Sequence, residues 1–250
     1  MILFYLYLFI LGSAIGSFLN VLIDRLPNEE SIMGRSRCDY CKKELPAGVN
    51  IPILSWFSLR GKTQCCGKSL SLQYPLIELI TGLIFILPIG PIGLISHIGL
   101  IGLICVFLVI FVADWKYHII PDSMQVLFLV FSILYLMGTG RDLSVQIIIN
   151  GLIVMLPILV LFLVTLGRGM GFADVKFAFT MGVLLGMVNG LLALYIAFIL
   201  GAIVGICMII LKRKKMKSMI AFGPFLIIGT VVMLIWSPYI ISIISRFYPL

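Results

Sequence analysis

The sequence predicts an all-α, polytopic membrane protein of about eight transmembrane helices, with a small cysteine-containing cytoplasmic domain between the first and second. Three observations carry this. Of 250 residues, 62% are hydrophobic and 11% charged, whereas soluble domains run near 45–50% apolar and about 25% charged; the mean hydropathy is +1.21. Apolar residues fall in long runs separated by Pro, Gly and charge, and the 18 Lys and Arg gather in a few of the intervening segments. This composition excludes an ordinary soluble enzyme, a disordered chain and a secreted disulfide scaffold.

The first 23 residues are apolar and uncharged, with no basic n-region and no A-x-A cleavage site, so they read as a retained transmembrane helix rather than a secretory signal. Residues 24–72 are the one extended polar stretch, with 8 basic and 5 acidic groups and four of the six cysteines, and form a small extramembrane domain. The membrane domain follows over 73–250. Its apolar segments run roughly over 75–90, 92–113, 123–138, 146–166, 176–188, 190–211 and 219–244; the segment 176–188 is short and Gly-rich and reads as a partial or tilted span.

Orientation follows from the cytoplasmic excess of Lys and Arg in membrane proteins. With residues 24–72 inside, the segments 114–122, 167–176 and 212–218 are inside too. The cytoplasmic side then holds 16 of the basic residues and the external side two, Arg141 and Arg246. The N-terminus is therefore expected outside. The net charge of +8 is read as a set of topology determinants. The partner it implies is the lipid bilayer, and no nucleic acid is expected.

Only five acids follow residue 72: Glu78, Asp114, Asp122, Asp142 and Asp174. An acid at the centre of a spanning helix costs about 2.5–3.5 kcal/mol on insertion scales, so acids at or within membrane edges are functional candidates. Asp142 falls in an external loop. Asp114 closes the third span in Ala113-Asp114-Trp115-Lys116, and Asp174 opens the sixth in Gly169-Met170-Gly171-Phe172-Ala173-Asp174-Val175-Lys176. The charge count places both at the cytoplasmic face, where two carboxylates on separate helices can meet. Such a pair shares one proton, so the ionised member can activate water while its neutral partner donates to a peptide carbonyl. Gly169 and Gly171 suit close approach of an extended substrate. The residues alone leave a second reading open, in which Asp114 and Asp174 are interfacial acids paired with Lys116 and Lys176. Asp122, after Pro121, reads as a cap on the fourth span. His118 stands four residues from both Asp114 and Asp122, but Pro121 interrupts any helical metal face. No H-E-x-x-H is present, and Gly12, Ser13, Gly16 and Ser17 read as helix-packing residues rather than a serine-protease site.

Cys38-Asp39-Tyr40-Cys41 is a C-x2-C knuckle, and Cys65-Cys66 follows. Four thiolates in a small polar domain read as a structural zinc site, and a cytoplasmic location argues against disulfides. Adjacent cysteines splay their side chains, so the second pair suits one tetrahedral ion less well than the first. Reduced free thiols are the other reading. Cys105 and Cys207 lie in apolar spans and read as packing residues.

Taken together, several runs resemble the type IV prepilin peptidase family, the bifunctional leader peptidases and N-methyltransferases of pilus, type II secretion and competence systems. They are Gly16-Ser17-Phe18-Leu19-Asn20 through Asp24-Arg25-Leu26-Pro27, the four cysteines, Gln73-Tyr74-Pro75-Leu76-Ile77-Glu78, Asp114 through Pro121-Asp122, Gly171 through Lys176, and Phe222-Gly223-Pro224. The resemblance implies an aspartic endopeptidase that removes the leader of prepilin or pseudopilin substrates on the cytoplasmic side of the inner membrane. It also implies methylation of the new N-terminus from S-adenosylmethionine. By its motifs Asp114 and Asp174 are the catalytic residues, and Cys38, Cys41, Cys65 and Cys66 the metal ligands. Residues 73–250 become the membrane peptidase domain. Two positions depart from the family pattern: Ala173 stands where the family has Gly, and Thr63 where the second C-x2-C would begin. The first is expected to impair cleavage if a positive φ is needed there; the second puts the metal in question. Glu78 is read either as a helix-dipole residue or as part of a methyl-transfer or substrate site. The competing class is a non-enzymatic membrane carrier or assembly subunit that uses buried acids as a proton relay; it is disfavoured because no internal repeat is visible and both key acids sit at one face.

Overall fold

A computed structural model describes residues 1–38, 40–46, 51–87, 93–211 and 221–247, with side chains described through residue 240. The basic run over 212–218, which weighs heavily in the orientation count, lies outside the described residues. Among those described the chain is helical, with no strand beyond two isolated bridges. It divides into two compact units, Met1–Ile92 with Ile104–Val109, and Gly93–Leu103 with Ile110–Leu250.

In the first unit a long helix, α1 (Ile2–Arg25), runs into a 3-10 turn at Leu26–Asn28, and a short helix α2 (Leu54–Ser58) precedes α3 (Gln73–Ile86). α1 and α3 pack backbone to backbone through small residues. A Cβ on Gly12 would lie 2.7 Å from the Thr81 carbonyl oxygen, and one on Gly16 would lie 2.8 Å from the Glu78 Cα. The Gly-x3-Gly spacing is what such close approach in a membrane requires. A polar clamp closes one end of this pair. Buried Asn20 donates from Nδ2 to the Tyr74 carbonyl at 3.2 Å and accepts from Gln73 Nε2 at 3.3 Å. The Tyr74 hydroxyl donates to Asp24 at 2.9 Å. The runs around Asn20 and Tyr74, distant in sequence, are therefore two halves of one joint.

The second unit contains α4 (Leu94–Tyr117), α5 (Asp122–Gly138), α6 (Val145–Val164), α7 (Phe172–Leu185), α8 (Met187–Ile210) and α9 (Gly223–Phe247). α4 contributes its middle residues to the first unit. α7 is the axis of the second, packed against α5, α6, α8 and α9, and ten of its residues are buried. Phe128 of α5 meets Phe177 of α7 with ring centroids 4.7 Å apart.

The eight longer helices follow the predicted apolar segments, but their lengths divide them. Five, at Ile2–Asn28, Leu94–Tyr117, Val145–Val164, Met187–Ile210 and Gly223–Ile240, are long and apolar enough to cross a membrane. α3, α5 and α7 have 14, 17 and 14 residues. At about 1.5 Å per residue they reach roughly 21–26 Å, against a hydrocarbon core of about 30 Å. For α7 the reason is packing: a helix enclosed on nearly all sides needs neither the length nor the lipid-facing surface of a span. α6 and α8, by contrast, bury only 17% of their apolar windows.

Candidate active site

The boundaries of two helices decide how the candidate acids are held. α4 continues to Tyr117, one turn past Asp114, and ends at His118 in a left-handed conformation with φ 56°. Asp114 is thus inside a helix rather than closing it. α7 starts at Phe172, before Asp174, which places Asp174 in its first turn. Both carboxylates are buried, with 5% and 8% of their surface exposed.

Each carboxylate is held by a backbone N–H at a helix start. Gly171 donates to Asp174 Oδ2 at 3.1 Å, while the Asp174 N–H donates to the Gly171 carbonyl at 3.1 Å. Asp174 thereby satisfies donors at the positive end of its own helix. Asp114, near the C-terminal end of α4, sits at the unfavourable end of its helix. Its Oδ2 instead accepts from the Gly223 N–H at 2.8 Å, and Gly223 is the first residue of α9. A Cβ on Gly223 would stand 2.6 Å from that oxygen and 3.2 Å from Ile120 Cδ1; this position has room only for glycine. The Asp114 carboxylate lies within electrostatic range of the Asp174 carboxylate. Two helix N-termini, α7 and α9, thus present two buried carboxylates to one place in the second unit.

The alternative pairing for Asp174 does not occur. Lys176 reaches Asp122 on α5, Nζ to Oδ1 at 2.7 Å, in an exposed ion pair. Asp122 is the first residue of α5, and Pro121 occupies the cap position that the sequence reading gave to Asp122. Lys116 lies over the ring of Tyr117, 4.9 Å from its centroid. Ala173 is an ordinary helical residue in the first turn of α7 and is absent from the positive-φ positions, so its Cβ imposes no backbone strain. Its carbonyl accepts a hydrogen bond from Gln125 Nε2 at 2.9 Å. Gly171 has φ −79°, and a Cβ there would sit 3.6 Å from Asp174 Oδ2, an ordinary contact. Its small size therefore matters for what approaches from outside rather than for its own conformation.

The four cysteines of the first unit converge, with all four sulfurs within 4.8 Å of one another. Cys38 and Cys66 are 3.7 Å apart, Cys41 and Cys65 3.2 Å. A tetrahedral zinc with sulfurs at about 2.3 Å sets them about 3.8 Å apart, so the cluster fits such an ion. Two matching turns build it. Cys38 N–H donates to the Lys43 carbonyl and Lys42 N–H to the Cys38 carbonyl; Thr63 N–H donates to the Lys68 carbonyl and Gly67 N–H to the Thr63 carbonyl. The turns are flanked by the bridges Arg37 to Glu44 and Lys62 to Ser69. In this register Thr63 occupies the place of Cys38, Cys66 that of Cys41, and Gly67 (φ 68°) that of Lys42 (φ 58°). Cys65 supplies the sulfur that Thr63 lacks, and the Thr63 hydroxyl lies 3.1 Å from Cys66 Sγ. The vicinal pair does not splay apart here because the two sulfurs come from opposite sides of one turn. Burial raises the Cys38 thiol, but the backbone N–H groups of Cys41 and Tyr40 outweigh it and bring it below its ordinary value. The Lys43 N–H and the Cys65 thiol lower Cys41, while Cys65 itself is pushed up to about 12 by Cys41 and Cys38.

Glu78 of α3 is buried, and its Oε2 accepts from the Ile53 N–H at 2.7 Å. Ile53 caps α2 with φ 63°, so Glu78 pins the start of α2 to α3.

Residues 10–89 match the bacterial peptidase A24 N-terminal domain, and residues 101–206, which span both aspartates, match the type IV leader peptidase family. A prepilin leader peptidase/N-methyltransferase of Stutzerimonas stutzeri is 30% identical over 98% of this chain and 94% of its own length. The chain belongs to the type IV leader peptidase family. A second relative of the same description, from Aeromonas hydrophila, is 29% identical over 98% of the chain and 94% of its own length. A third, from Myxococcus xanthus (strain DK1622), is 51% identical over 84 residues, which are 33% of this chain and 25% of that protein. No solved structure matches the chain. Within this family's sequence runs, three site features escape sequence reasoning: the Gly223 N–H on Asp114, the tie from Gln125 to the residue before Asp174, and the pairing of Lys176 with Asp122. The Phe222-Gly223-Pro224 run was the one available signal for the first.

Proposed function

We propose that this chain is a membrane aspartic endopeptidase that removes the leader peptide of type IV prepilins or pseudopilins, with Asp114 and Asp174 as its catalytic residues. The observation that carries this reading is that both carboxylates are buried, held by backbone N–H groups at helix starts, and within electrostatic range of each other. Two close carboxylates share a proton. The ionised member takes a proton from water as the water attacks the scissile carbonyl, and the neutral member donates its proton to the carbonyl oxygen. Collapse of that intermediate returns a proton to the leaving amine. The names of relatives matched over nearly the whole chain support prepilin as the substrate. The proton-relay alternative is disfavoured by the same hydrogen bonds, because a backbone amide cannot pass a proton onward.

The distribution of basic residues supports a multi-pass bacterial inner-membrane protein with its N-terminus outside and its active site facing the cytoplasm. Residues 24–72 are then the cytoplasmic cysteine domain, and 73–250 the peptidase domain. The cysteine cluster would hold a structural zinc through Cys38, Cys41, Cys65 and Cys66, whose sulfur spacing suits it; the ion would tie the two turns together. The relatives' names support a second activity, N-methylation of the new N-terminus, with S-adenosylmethionine as the methyl donor. The test is to incubate the purified protein in lipid vesicles with a prepilin and measure the product mass. A shortened chain is expected, with a methylated N-terminus; an uncut substrate rejects the peptidase reading, and a shortened but unmodified product rejects the methylation alone.

A further inference from the structure

A groove of about 450 Å3 lies between α5 and α6, floored by α7, within the second unit; ligand clefts run roughly 300–1,000 Å3. Phe172, Val175 and Phe179, at positions i, i+3 and i+7, form its α7 wall, with Val126 and Leu129 from α5 opposite. Its lining is almost wholly apolar, and Val126 and Phe172 are both more than half exposed at its rim. On helices of a bilayer protein, such a cleft suits an apolar occupant.

One polar feature breaks this pattern. Gln125 lines the groove and is only 6% exposed. Its amide nitrogen donates to the Ala173 carbonyl, which settles which end of the side chain is nitrogen and which is oxygen. The remaining atom, Oε1, is buried and has no hydrogen-bond partner among the described residues. Buried acceptors are rarely left unpaired, and each one that is asks for an explanation. This one sits beside the residue that precedes Asp174.

We propose that the groove receives the apolar segment of the substrate that follows the scissile bond, and that Gln125 Oε1 accepts a hydrogen bond from a backbone N–H of that segment. This rests on the peptidase reading above. A lipid acyl chain matches the groove's apolar walls but has no donor for Oε1, whereas a peptide has both. The first turn of a helix carries four N–H groups without intrahelical partners, so an apolar helix beginning just after the cut offers its donors where Gln125 needs one. Because Gln125 also grips the residue before Asp174, a chain bound on it is brought up to that carboxylate. Gln125 is on this account a positioning residue that sets substrate register.

The test uses the full chain in phosphatidylcholine/phosphatidylglycerol vesicles, with a photo-crosslinking residue in place of Leu129 and a prepilin as the probe. Adducts are expected on the prepilin, within its apolar segment just after the cleavage site; adducts with lipid alone overturn the proposal. Independently, Leu129→Trp, which fills the groove, is expected to raise KM about tenfold, the scale on which apolar pockets discriminate, with little change in kcat. An unchanged KM overturns it. Replacing single backbone amides after the scissile bond by esters is expected to weaken cleavage about fivefold at one position in the wild type and not in Gln125→Leu; equal sensitivity of both proteins at every position overturns the hydrogen bond. If the wild-type chain leaves prepilin uncut, the peptidase reading falls and this inference with it. If it cuts normally while the three groove measurements fail, the groove inference falls alone.

Discussion

Replacing Gly223 by alanine places a methyl group where Asp114 now receives its hydrogen bond. The added Cβ would stand 2.6 Å from Asp114 Oδ2 and 3.2 Å from Ile120 Cδ1, and the donor–acceptor distance is 2.8 Å. The carboxylate must turn away, and the start of α9 no longer holds it. Hydrogen bonds to charged groups contribute about 1.5–3 kcal/mol, and each 1.36 kcal/mol is tenfold in rate. Gly223→Ala is therefore expected to lower kcat for leader cleavage by roughly ten- to a hundredfold. The assay is prepilin processing by the vesicle-reconstituted protein under saturating substrate. Thermal unfolding in detergent accompanies it, because the contact is local and the helices around it keep their packing. A variant that cleaves at the wild-type rate would refute the role given to the Gly223 N–H. So would a loss of activity fully accounted for by unfolding.

Three further outcomes follow from the same contacts. Ala173→Gly leaves cleavage within about twofold, since Ala173 is already helical, and lowers stability by up to about 1 kcal/mol through the helix cost of glycine; a large gain in rate would mean the position needs a conformation that alanine denies it. Cys65→Ser is expected to lower the zinc content of the purified protein, and Thr63→Cys in the same chain to restore it, because Thr63 stands in the register of Cys38; elemental analysis decides, and full zinc in Cys65→Ser alone contradicts the assignment. Gly16→Val forces α1 from α3, where a Cβ already meets the Glu78 Cα at 2.8 Å, and is expected to destabilise by about 1–3 kcal/mol, as overpacking does, measured by unfolding in detergent.

Much of the architecture is legible in the sequence because a bilayer imposes it. Long apolar runs declare helices, and scarce acids draw attention to themselves. The eight longer helices and the convergence of Cys38, Cys41, Cys65 and Cys66 follow from such local signals. Helix length is less legible: α7 reads as a weak span because a helix buried on all sides is as apolar as one facing lipid. The finest features depend on contacts between distant residues. The Asp114–Gly223 bond crosses 109 positions and Lys176–Asp122 crosses 54. No periodicity encodes either. Asp122 illustrates the difficulty: its place after Pro121 suggests a cap, and only the approach of α7 supplies Lys176 as its partner. Ala173 is the reverse case. Its departure from the family pattern looks costly in one dimension and proves to fall in a regular helical turn.

The central claim is that Asp114 and Asp174 act as one catalytic pair, and their asparagine variants test it most directly. Asn keeps the shape and still accepts the Gly223 or Gly171 N–H, but it can neither hold nor release the shared proton. In a vesicle assay with prepilin, Asp114→Asn and Asp174→Asn are each expected to abolish leader cleavage while the protein remains folded, and Asp122→Asn, which loses only an exposed ion pair worth about 0–1 kcal/mol, to retain it. Undiminished cleavage by either of the first two variants would contradict the account.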